Sequence, residues 1–117
     1  MSLWKTKISK VNSSFTYLDA GGEQTIFEIT DNIKTYISQI MLDFANITEN
    51  GIIKLYSKID GTNYREIAIF AFTFLTDSKG LLINLRIPIN VDFKITYEED
   101  ADEGTDRIIP YNYILEV

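Results

Sequence analysis

The amino-acid sequence predicts an all-β fold: a single domain over residues 1–117, built as a jelly-roll-like, two-sheet antiparallel β-sandwich of seven or eight strands. Three observations predict it. From Leu81 to Glu98 every odd position is apolar (Leu81, Ile83, Leu85, Ile87, Ile89, Val91, Phe93, Ile95, Tyr97), and the even positions are polar or turn-forming except Leu82. Side chains alternate between two faces only along a strand, so a period of two argues against helix here. Next, Gly61-Thr62 parts two further apolar runs, as a hairpin turn does. Finally, turn-forming residues return about every ten positions with no internal repeat and no linker, the cadence of a sandwich.

Taken in order, Leu3–Val11 and Phe15–Leu18 are the weakest strand candidates, and residues 1–14 read as an extended arm. Glu23–Thr30 follows the Gly21-Gly22 turn as a strand. Ile33–Phe44 fits two periods. Ile33, Ile37, Ile40, Met41 and Phe44 recur at helical spacing with Asp31 as a cap, yet Tyr36, Ser38, Ile40, Leu42 and Phe44 alternate. The segment holds no alanine and is rich in Ile, Thr and Tyr, which suit a pleated surface, so it is assigned to a strand.

Ile52–Asp60 and Asn63–Phe74 form the hairpin. Gly at the first central position suits a two-residue type II′ turn, whose register pairs Asp60 with Asn63, Ile59 with Tyr64, Lys58 with Arg65 and Ser57 with Glu66. One face then carries Ile53, Leu55, Ile59, Tyr64, Phe70, Phe72 and Phe74 as core, and the other carries Lys54, Tyr56, Lys58, Arg65 and Ile67. Leu81–Glu98 exceeds the usual strand of about five or six residues, so Pro88–Asn90 divides it. In the last run Ile109, Tyr111, Tyr113, Leu115 and Val117 share a side, and Pro110 marks an edge strand or a strand beginning.

At 117 residues the chain can bury a core without metal or disulfide staples. It has no cysteine and no histidine, which excludes disulfides, thiolate nucleophiles, histidine triads and Cys- or His-ligated metals. The net charge of -6 is local. Glu98, Glu99, Asp100, Asp102, Glu103 and Asp106 supply six of the 17 acids, and the other 11 match the 11 bases. Residues 1–18 carry Lys5, Lys7 and Lys10 and no acid. An acidic chain is a poor partner for nucleic-acid phosphates. No apolar run approaches the ~20 residues of a membrane span, and the start lacks a secretory signal's apolar stretch. The sequons at Asn12 and Asn46 therefore read as chance matches.

Four patterns could carry chemistry. Asp100, Asp102, Glu103 and Asp106 offer oxygen ligands to calcium, although the spacing departs from an EF-hand loop; the alternative is a solvated loop. Glu28, Glu66, Asp92 and the loop acids could supply a glycosidase pair, but nothing in the sequence brings two together, and no phosphate loop or nucleophile elbow occurs. An enzyme is not expected. Trp4, Tyr56, Tyr97, Tyr111 and Tyr113 could stack on a sugar, although tyrosines on strands usually pack across the sheet, and Tyr111 and Tyr113 read as core. The fourth pattern is a protein interface. It joins the arm residues Trp4, Lys5, Lys7 and Lys10 with the face carrying Lys54, Tyr56, Lys58 and Arg65, since aromatic and basic side chains recur at protein contacts. Between copies the arm would meet the acidic loop head to tail. Neutralising Asp100, Asp102 and Glu103 together is expected to weaken such assembly and spare the fold.

Two runs add a resemblance. One is L-D-x-x-x-x-T-x-N … Y-x-K-I-D-G-T-N-Y-R, here Leu42-Asp43, Thr48, Asn50, Tyr56 and Lys58–Arg65. The other is E-G-x-x-R-x-I-P-Y-x-Y, here Glu103-Gly104, Arg107, Ile109-Pro110-Tyr111 and Tyr113. With them, roughly half of the chain resembles small β-sandwich proteins of phage and viral genomes. The resemblance implies a non-catalytic virion component, as capsid, head decoration, or tail and baseplate. It would need no cofactor and would partner other virion proteins or copies of itself, as a homo-oligomer. Both runs look like hairpin and strand-entry chemistry, so no binding residue is carried over. The alternative is a small carbohydrate- or calcium-binding module of a larger assembly.

Overall fold

The computed structural model describes residues 8–30, 36–89 and 92–116. Eight strands follow in chain order: β1 Ile8–Tyr17, β2 Gln24–Ile29, β3 Tyr36–Asp43, β4 Gly51–Ser57, β5 Arg65–Phe72, β6 Gly80–Pro88, β7 Phe93–Glu99 and β8 Arg107–Glu116. β4 pairs with β5, β3 with β6, β2 with β7 and β1 with β8, all antiparallel, so the chain is one long hairpin whose tip joins β4 to β5. Rolling that hairpin lays β1-β8-β3-β6 in one sheet and β2-β7-β4-β5 in the other. This is the jelly-roll order. The two are called here the β1 sheet and the β2 sheet.

The inward faces meet as the alternation requires. Ile37, Ile40, Leu42, Ile83 and Ile109 of the β1 sheet and Ile53, Leu55, Phe93, Ile95 and Tyr97 of the β2 sheet are each at most 1 % exposed. Burying one such side chain stabilises by about 1.5–3 kcal/mol, against about 0–1 kcal/mol for an exposed ion pair, so the core dominates stability. Phe27 bridges the layers, stacked 4.4 Å from Tyr113 and 5.1 Å from Tyr111. Both tyrosines pack with the core, as expected. Tyr97 is fully buried and is no sugar platform.

The double-period segment is a strand from Tyr36, while Asp31 and Ile33 lie outside the described residues. Residues 8–14, grouped above with an arm, pair with β8 and belong to the sheet. The hairpin departs from its predicted turn. Instead of two residues, Lys58–Tyr64 make a loop, because the Asp60 carboxylate accepts the backbone N–H groups of Thr62 and Asn63, each at 2.8 Å. A short acidic side chain here competes with the ladder for backbone donors. Ser57 therefore pairs with Arg65 rather than Glu66, and a bulge at Ile67 restores the expected offset from Leu55–Ala68 to Gly51–Phe72. Ile59, placed in the core by the predicted turn, is 69 % exposed.

Two further corrections come from neighbours. A bulge between β3 and β6 throws Leu85 out of phase, leaving it 44 % exposed although it shares parity with Ile83 and Ile87. β8 is no edge strand; it lies between β1 and β3. Nor does β8 begin at Pro110: the strand starts at Arg107, and Pro110 pairs with Ser14 of β1 one residue past the last β3 pair, Leu42 with Tyr111, where β3 no longer needs an N–H from it.

Candidate interaction surfaces

On the outer face of the β2 sheet, register aligns Glu28, Lys94, Tyr56 and Glu66 in one row and Thr25, Thr96, Lys54 and Ile69 in the next. Its charges satisfy one another. Glu23 accepts from the Tyr56 hydroxyl and from Thr96 Oγ1 at 2.6 Å, and Glu28 accepts from the Tyr64 hydroxyl. Lys58 Nζ lies 2.9 Å from Asp92 and Lys54 Nζ 3.7 Å from Glu66. Lys94 Nζ stands over the Tyr64 and Tyr56 rings at 4.6 and 5.1 Å. Burial and the Glu23 carboxylate push the Tyr56 hydroxyl up to about 12. Burial works against the Glu23 charge, but hydrogen bonds from Thr96 and Tyr56 outweigh it and hold Glu23 below its usual range.

The predicted interface residues thus part company. Lys54, Tyr56 and Lys58 share this face, already engaged by carboxylates, and Tyr64 joins them there instead of the core. Arg65 sits opposite buried Ser57, which turns it off the Tyr56 row, and reaches Asp60 at 3.9 Å. Lys10 lies on the other sheet, and Trp4, Lys5 and Lys7 lie outside the described residues. The acids considered for a glycosidase pair, Glu28, Glu66 and Asp92, each hold a different neighbour.

The acidic loop is built as a clasp. Glu103, with its side chain 0 % exposed, accepts from the Thr48 backbone N–H at 3.0 Å, the Thr48 hydroxyl at 2.5 Å and Arg107 Nε at 3.1 Å. Asp106 accepts the Asp19 N–H and Asp19 accepts the Gly104 N–H, both at 2.9 Å. Asp100, Asp102, Glu103 and Asp106 are not brought together: Asp100 and Asp102 face solvent, and among the described residues no three acidic side chains converge as a metal needs. The two resembling runs meet here, Thr48 on Glu103; beside them the Asn50 carbonyl accepts the Asp100 N–H at 2.9 Å. Beneath them neither Glu99 carboxyl oxygen finds a donor, and the Tyr97 hydroxyl is likewise buried without a partner. Burial, then the Glu103 carboxylate beside it, push Glu99 up to about 9. At neutral pH Glu99 is therefore a neutral acid, able to donate its proton to Glu103.

The outer face of the β1 sheet is different. Asn12, Asn112, Met41 and Leu82 align across its four strands. Ser14 with Pro110 and Asp43 with Gly80 flank that row on one side; Lys10, Ile114, Ser38 and Arg86 flank it on the other. Met41 is 46 % and Leu82 56 % exposed. A shallow depression of about 280 Å³ opens between Lys10, Asn12, Gln39, Met41, Asn112 and Ile114. Gln39 sits at φ 49°, left-handed territory that costs a non-glycine residue about 1–2 kcal/mol. Sequence reasoning missed this face. Its one signal was Leu82, the apolar residue on the polar phase of its run.

No protein-family model and no curated protein matches the chain. Solved structures match in fold. The chain aligns over 97 % of its length with 94 % of a chain in an acid-stable capsid of a Helicobacter pylori bacteriophage, at TM-score 0.59 and 7 % identity. It aligns over 99 % of its length with 92 % of a chain of the disulfide-linked pili of Bacillus endospore appendages, at TM-score 0.57 and 10 % identity. With a chain of infectious bursal disease virus, Gx strain, the values are TM-score 0.55 and 13 % identity, and this chain spans 32 % of that one. Such identities establish the jelly-roll fold and no more.

Proposed function

We propose that the protein is a non-catalytic structural component of a virion, as capsid, head decoration, or tail and baseplate, held in place by copies of itself and by other virion proteins. The observation that carries this reading is the end-to-end correspondence with phage-capsid and appendage chains of which the matched sandwich makes up more than nine-tenths. A building block of this kind acts by surface complementarity, and exposed apolar side chains such as Met41, Leu82 and Ile108 supply that surface. The sequence holds no cysteine, so copies of it would not join through disulfides as those pili do. Light scattering after size exclusion, with negative-stain microscopy, tests the reading. Concentration-dependent oligomers or ordered particles are expected; a monomer at every concentration and salt overturns it.

A further inference from the structure

We infer that the outer face of the β1 sheet is the contact between two copies of this chain, packed face to face about a two-fold axis running across the strands. The inference rests on the self-assembly proposed above and adds the surface and the symmetry.

The two outer faces make the choice. Docking the β2 sheet would desolvate charges that already satisfy one another, and buried ion pairs seldom repay that cost. The β1 face instead presents amides, small hydroxyls and apolar groups around Met41, with Lys10, Asp43, Arg86 and Glu116 as its charges among the described residues and Arg86 already 3.4 Å from Glu116. Its size comes near what a dimer needs. Four strands ~4.8 Å apart and the ten residues of β8 at ~3.3 Å each span roughly 600 Å² before side-chain relief is counted. A standard interface takes about 800 Å² from each partner.

Charge then selects the axis. Sheets stack ~10 Å apart with strands aligned within about 30°, which two in-plane axes permit. An axis along the strands would lay β1 over β6 and bring Lys10 against Arg86, two like charges. An axis across the strands keeps each strand over its own copy and reverses the rows. Asp43 then faces the row of Arg86, one strand spacing of ~4.8 Å away and within reach of a guanidinium. Met41 meets its own mate on the axis, where a flexible thioether can fill the depressions on both sides.

Analytical ultracentrifugation of the full chain over a concentration series provides the test. Met41→Lys combined with Leu82→Lys is expected to weaken the dimer at least about 30-fold, as loss of a central anchor does. Lys54→Ala with Lys58→Ala, on the other sheet, should leave it unchanged. Asp43→Arg and Arg86→Asp should each weaken association and together restore it. Because the chain has no cysteine, Asn112→Cys places a single thiol near the axis, and a short bis-maleimide should couple two copies; Thr25→Cys on the β2 sheet should stay uncoupled. If the wild type assembles while the β1-face variants change nothing and Asn112→Cys fails to couple, this inference falls and the structural role stands. A chain monomeric at every concentration overturns both. If the double-lysine variant loses its far-UV circular dichroism, the coupling of Asn112→Cys decides.

Discussion

Glu99 and Glu103 lie at the same buried end of the sandwich and respond to pH in opposite directions. Glu103 is held below its usual range: burial opposes its charge, but hydrogen bonds from Glu99 and Thr48 and the charge of Arg107 outweigh it. It adds stability above the unfolded carboxyl value, and that contribution is lost as pH falls through the lowered folded value. Glu99, raised to about 9, binds its proton more tightly folded than unfolded. Its contribution is complete below its ordinary value of 4.5 and is lost as pH rises from there toward about 9. Glu99→Gln keeps a donor for Glu103 and removes the titration, so its melting temperature should exceed the wild type's at about pH 8 and converge with it near pH 5. Equal pH profiles for the two proteins would refute this account.

Glu103→Ala should destabilise by about 1–2 kcal/mol, because it removes the hydrogen bonds from Thr48 and Arg107, whose donors then turn to water. The buried Glu103 side chain argues against the sequence-based expectation that neutralising Asp100, Asp102 and Glu103 together spares the fold, whereas Asp100 and Asp102 face solvent. Gly51 is a third such residue: an added Cβ would lie 2.5 Å from Tyr97 Oη in a packed interior. Gly51→Ala should cost about 2–3 kcal/mol in urea denaturation, as overpacking does. None of these roles could be read locally, since a carboxylate's burial depends on a partner 55 residues away, as Thr48 is from Glu103.

At the scale of elements, alternation predicted strands well where a single face is buried, and failed at bulges and turns. β7 lies where expected, with Phe93, Ile95 and Tyr97 all buried. β6 alternates as cleanly in sequence, yet its bulge opposite Gln39 reverses Leu85. The strain at Gln39 is local to that irregularity. Gln39→Gly should relieve it and raise stability by about 0.5–1 kcal/mol, the strain relieved being partly offset by the entropy glycine loses on folding. Thermal melts of the two proteins check this; a less stable glycine variant would show that the side chain contributes more than its backbone costs. The β4–β5 turn was misread because Gly61 fits a two-residue turn, while Asp60 draws backbone donors into a longer loop.

For the whole molecule, the pairing of Ile8 with Glu116 closes nearly the full chain, and β8 supports both β1 and β3. A chain ending at Asp106 loses two of the β1 sheet's three ladders and the buried side chains of Ile109 and Tyr113. It should be unfolded by circular dichroism and cut rapidly by protease, whereas a folded truncated chain would show that β8 is dispensable. Folding that waits on such distant contacts is expected to be slow, in milliseconds to seconds.

What the sequence determined by itself was the class: apolar alternation over seven or eight strand candidates, no cysteine, no histidine, and one segment holding all the excess charge. These are local properties, readable because a strand's two faces repeat every second residue. Only the tertiary structure decided that β8 is central, that the acidic segment clasps Thr48, and that the charges on the outer face of the β2 sheet pair with one another. Those outcomes depend on which distant strands become neighbours and in what register, and a bulge of one residue is enough to change them.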